Sequence, residues 1–288
     1  MSTSMPSTVG APSASGTARW PSSAGMRVGL LRAGAVAAFA VTMLTVAWVV
    51  LLALTPAPPP EADAAGQLAF VGEHAGWHVA GFAVVVPLAL LYVPMWLGLA
   101  ALLWATRPAI GVLGAAVGLV YVPFGLFGYW SQLTVVRGLV ELHAIAPEQA
   151  VAAFAVLHFD GTAWSLGYAT AVLGYAVWGV AAAIMATGLA RGLGSLASWA
   201  GAMFALTGVL ALIGAVGFVA RVEILETGVM VSGVTSLAAS VTTALLLHRH
   251  ARRSSAMVSN ETASTEASTP RAAATAVNAS DAAHGGAT

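Results

Sequence analysis

The chain has 288 residues, 59% of them hydrophobic and 8% charged, and its formal net charge is zero. Soluble domains carry roughly 25% charged residues, so this is the composition of a membrane protein, and with no basic run on a folded segment it excludes a nucleic-acid surface. There is no cysteine and every basic residue is arginine, which excludes disulfides, thiolate metal sites, iron–sulfur clusters, a lysine Schiff base and a phosphate-loop lysine.

Residues 1–26 are rich in Ser, Ala, Pro, Gly and Thr, too poor in bulky apolar groups to fold alone, and are expected to form a disordered tail. The first apolar span, 33–54, follows Arg19, Arg27 and Arg32 and is too long for a typical cleaved signal, so it reads as a retained helix. Four prolines within 55–60 end it. The second span, 79–105, stands behind Glu73, His74, Trp77 and His78, and contains Pro87 and Pro94, which are expected to kink it. After a turn at Arg107 the third span, 109–136, carries Pro123 and a Gly114–Gly118 spacing that permits close packing, and ends on Tyr129, Trp130 and Arg137.

The stretch 138–160 is the longest expected loop, with a short surface helix starting at Pro147 and Glu148. Spans four and five, 161–190 and 192–220, form a hairpin about Arg191. The sixth, 227–247, follows Arg221, Glu223 and Glu226 and stops at a basic cluster of His248, Arg249, His250, Arg252 and Arg253; residues 251–288 read as a second disordered tail. The predicted fold class is all-α: a polytopic membrane bundle of six transmembrane helices within 27–250, with disordered N- and C-terminal tails.

Placing the N-terminus inside puts nine of the 11 arginines on the cytoplasmic side, which predicts an inner-membrane protein with both termini in the cytoplasm. Eight of the 11 acidic residues and four histidines then gather on the outer face. Glu73 before Trp77 and Asp160 before Trp164 share one spacing, the sign of a duplicated helical hairpin.

On that outer face, His74 and His78 lie four residues apart and would project from one side of a helix, as two ligands of one metal do. Glu73 would add an oxygen ligand or a general base, and His143, His158 and Asp160 are expected at the same depth; such nitrogen and oxygen donors suit a divalent zinc, iron or manganese ion. The alternative is that these groups are hydrated helix ends, interhelical hydrogen bonds or proton sensors. Arg137 and Arg221 either pair locally with Glu141 and with Glu223 and Glu226, or hold an anion or lipid phosphate.

Ser232, Ser236, Ser240 and Thr243 recur on one face of the sixth span, a face expected to point into the bundle. Tyr92, Trp96, Tyr168, Tyr175 and Trp178 read as core and belt residues rather than a cofactor box, and no cofactor beyond a possible divalent metal is implied. No Asp, Glu, Arg or His falls in the middle of a span, which disfavours an ion-coupled transporter.

The glycine-rich turn from Gly188 to Gly194 around Arg191, with the Trp199-Ala-Gly201 opening of the next helix, resembles an uncharacterised family of six-helix bacterial integral membrane proteins. The lysine-free, alanine-rich composition agrees with a high-GC bacterial source. The resemblance implies the fold and supplies no catalytic residues. Three functions stay open: an accessory component that binds a membrane partner besides the lipid bilayer; a membrane enzyme or binding protein with a metal or anionic-substrate site on the outer face; and a facilitative permease.

Overall fold

The computed structural model describes residues 23–159, 165–191 and 193–282. It is helical, without a strand among the described residues: α1 (Ser23–Leu54), α2 (Ala64–Glu73), α3 (Ala75–Leu103), α4 (Pro108–Ser131), a π-helical turn (Gln132–Val136), α5 (Arg137–His143), α6 (Pro147–Leu157), α7 (Leu166–Leu189), α8 (Ser195–Ala220) and α9 (Glu223–Ala282). Six of the helical stretches are long and apolar enough to cross a membrane. The protein is a multi-pass membrane helix bundle, as the sequence predicts.

Each spanning helix packs on its neighbours in the chain, α1 on α3, α3 on α4, α4 on α7, α7 on α8 and α8 on α9, and α9 returns to α1. The six therefore close into a ring. Small residues set the closest approaches, since lipid offers no hydrophobic drive between helices and packing must come from backbone proximity. A Cβ on Gly34 of α1 would stand 2.8 Å from the Cα of Gly98 on α3, and one on Gly208 of α8 would stand 2.7 Å from the carbonyl of Gly179 on α7. Gly114 and Gly118 face different partners, Met185 of α7 and the indole of Trp96 on α3.

Exposed tryptophans mark both edges of the ring, Trp77 and Trp130 at one end and Trp104 and Trp199 at the other. We call the second the arginine end, because Arg27, Arg32, Arg107 and the basic cluster of α9 lie there; Arg27 Nε donates to the carbonyl of Ala101 and Arg107 Nη1 to that of Thr187. The opposite end carries a cap of α2, the π turn, α5 and α6 around Leu68, Val71, Val136, Leu139, Ala150 and Phe154.

Several expectations are corrected. The third span does not end at 136; helix continues through the π turn to His143, so the expected loop is mostly helix and only 144–146 separates α5 from α6. Helix α2 has no counterpart among the expected elements; Asp63 caps it, accepting from the Gly66 amide at 2.8 Å. The backbone of α9 continues past 247 to Ala282; Ala251 is still buried against the bundle, whereas Met257 is exposed. Residues 1–22 and Asp160 with Trp164, and hence the proposed repeat, lie outside the described residues.

Candidate functional site

Among the described residues the cap brings together only part of the expected His and carboxylate set. His74 turns back on its own helix, its Nδ1 3.1 Å from the carbonyl of Phe70 and its ring stacked on that of Phe70. His143 is at the end of α5, its Nδ1 buried without a partner. Asp160 lies outside the described residues. Only His78 and His158 come together, with ring centroids 6.1 Å apart. Among the described residues no three His, Asp or Glu side chains are placed to hold a metal.

What joins His78 to His158 is Gln132, a residue without a role in the sequence analysis. Gln132 is fully buried in the π turn. Its carbonyl lies 3.2 Å from His78 Nε2, its Oε1 3.3 Å from His158 Nδ1, and its Nε2 donates to the carbonyl of Leu157 at 2.7 Å. The π turn shifts the helical hydrogen-bond register locally, which suits a carbonyl that bonds outside the helix. One residue thus ties α3, α4 and α6 together. The available signal was that Gln132 is the one amide side chain between 109 and 136.

Arg137 and Arg221 are exposed at the cap end and far apart in the ring order, and Arg221 takes a left-handed backbone with φ 56° that closes α8. Neither forms the expected ion pair with a described carboxylate. Glu226 instead accepts from the Tyr168 hydroxyl at 2.8 Å.

The most structured polar site is inside the ring. Thr45 of α1, Tyr92 of α3, Tyr121 of α4, Tyr175 and Trp178 of α7, Thr207 of α8, and Ser232 and Ser236 of α9 surround a cavity of about 30 Å³, space for a water molecule or two. All six spans contribute. The expectation that the hydroxyl face of the sixth span points inward holds, with Ser232, Ser236, Ser240 and Thr243 all buried.

The donors and acceptors of this lining are unequal. Thr45, Thr207, Ser232 and Ser236 each give their proton to a carbonyl of their own helix, at 2.6–2.8 Å, so their oxygen lone pairs are what they can offer the cavity. The Tyr129 and Tyr175 hydroxyls meet at 3.1 Å. Trp178, whose side chain also lines the cavity, has a buried indole N–H without a partner. A buried donor left unpaired in this way costs about 1–3 kcal/mol.

Aromatic side chains flank the cavity on both sides. Toward the arginine end, Trp96, Trp178 and Phe204 pack ring against ring at 5.6–6.1 Å. Toward the cap, a second space of about 90 Å³ shares Trp48, Tyr175 and Gly233 with the first. Phe159 borders it, wedged among Phe82, Tyr129 and Tyr168 at 5.6–6.1 Å. The arrangement is an uncharged, hydroxyl-bearing chamber between two aromatic clusters. It can hydrogen-bond a small neutral molecule, and with no charged side chain in its lining it is ill suited to an ion.

Compared with known proteins, the chain matches no family model, no curated protein and no solved structure.

Proposed function

We propose that the protein is a facilitative membrane protein that binds a small, uncharged polar molecule in the chamber at the centre of its helix ring, held in an occluded state. The observation that carries this reading is the cavity at the ring centre, to which each of the six spans contributes a hydroxyl side chain: Thr45, Tyr92, Tyr121, Tyr175, Thr207, Ser232 and Ser236. The absence of ionisable groups from the chamber fits a passive pathway rather than an ion-coupled one. The bias of arginine toward the end where α1 begins supports an orientation with that end in the cytoplasm of a bacterial inner membrane.

The test is flux. Full-length protein in liposomes is challenged with gradients of water, glycerol and urea, and shrinkage or swelling is followed by stopped-flow light scattering. Permeation of at least one of the three faster than through protein-free liposomes supports the reading. Equal rates for all three remove it.

The approach of His78 to His158 favours a second reading, a divalent metal at the cap. Zinc, iron or manganese bound near one per chain and lost in His78→Ala with His158→Ala would support it, and folded metal-free protein would remove it.

A further inference from the structure

We infer that the seam where α9 closes on α1 is a binding site for an anionic phospholipid. At the arginine end these two helices leave between them a groove of about 570 Å³, bordered by Arg32, Val36 and Phe39 of α1 and by Leu245, His248 and Arg252 of α9. On α1 the three positions follow the spacing of one helix face, and on α9 the same holds. The groove therefore runs along the helices, across the plane of the bilayer surface rather than within it.

Its two ends differ in chemistry. Arg32, His248 and Arg252 stand at the outer end, level with the other arginines of this side. Val36, Phe39 and Leu245 continue toward the membrane interior, and they are 70%, 60% and 53% exposed. A cationic head above an apolar trough matches a phosphate above an acyl chain. Neither a free anion nor a neutral lipid uses both halves.

The cationic end is also held in place. Arg32 Nη2 donates to Ser255 Oγ at 2.9 Å, and that hydroxyl donates in turn to the Ala251 carbonyl at 2.7 Å. The guanidinium of α1 is thus drawn across the seam to α9, while the rest of its five N–H donors meet no acceptor among the described residues. No described carboxylate pairs with Arg32 or Arg252. Basic pockets between membrane helices on this side take anionic head groups for the same reasons. The lipid phosphate would lie across the seam between the first span and the last, and its binding would hold the ring closed.

The experiment is native mass spectrometry of the full chain in detergent, titrated with phosphatidylglycerol or with phosphatidylcholine of the same acyl chains. The expected result is saturable binding of one phosphatidylglycerol at least tenfold tighter than phosphatidylcholine. Arg32→Gln with Arg252→Gln should weaken it about tenfold, and Val36→Trp, which fills the trough without altering charge, should weaken it as well. Arg249→Gln with Arg253→Gln removes the same charge from this end of α9, beside α8 instead of in the groove, and should leave the affinity within twofold. Equal loss in both double variants would mean diffuse attraction to charge and would overturn the site. So would an unchanged affinity in Val36→Trp, or displacement of the lipid by millimolar inorganic phosphate.

Discussion

The two halves of the ring are built on different principles. At the arginine end, Leu99, Leu102, Leu103, Met185, Leu189, Phe204, Leu246 and Leu247 are buried in continuous contact. Toward the cap the same six helices enclose hydroxyls, a chamber and an unpaired indole. The first half spends its residues on packing and leaves little room for anything else. The second half keeps a cavity among its hydroxyls, a feature that costs stability and that a purely structural bundle has no reason to keep.

Two tryptophans expose this difference, because each has a buried N–H without a partner. Trp96→Ala should cause the largest loss of stability, about 3–5 kcal/mol, read as a fall in the thermal midpoint by circular dichroism. Trp96→Phe keeps an aromatic ring in the packed half and removes an unsatisfied donor, so it should change solute flux little. Trp178→Phe removes the unpaired donor of a side chain that lines the chamber; stability should hold or rise, while solute permeation should fall severalfold. If Trp96→Phe and Trp178→Phe affect flux alike, the halves are not distinct in function.

Gln132→Leu tests the connection between chamber and cap. It leaves His158 and the Leu157 carbonyl without their buried amide partner, a loss of about 1–3 kcal/mol, and amide hydrogen exchange should rise first in α6. Glu226→Gln should have the smallest effect. The Tyr168 hydroxyl keeps a neutral acceptor, so only the charged contribution to one hydrogen bond is lost, about 1 kcal/mol. A shift in the thermal midpoint larger than that of Gln132→Leu would contradict the assignment.

The spans were legible because length and the absence of charge suffice to define a membrane helix, and the inward face of Ser232, Ser236, Ser240 and Thr243 followed from helical spacing. The cap was less legible. Equal depth in the membrane does not make residues neighbours: His74 and His143 sit on separate short helices whose directions depend on Asp63 and on the π turn, neither of which leaves a periodic signal. The chamber was hidden for a related reason. Its lining takes one or two residues from most of the six helices, and Tyr121 or Thr207 looks like an ordinary packing residue until the ring order places it opposite Ser236.

The chamber is the central claim, and its most direct test is the flux of Ser236→Leu measured beside its thermal midpoint. The larger apolar side chain fills the roughly 30 Å³ at the ring centre and leaves the arginine-end core untouched. Wild-type protein is predicted to pass at least one of water, glycerol and urea, and the variant, still folded, to fall to the rate of protein-free liposomes. A folded Ser236→Leu protein with wild-type flux, or a wild type no faster than bare lipid, would contradict the claim and would leave an accessory, partner-binding role as the better reading.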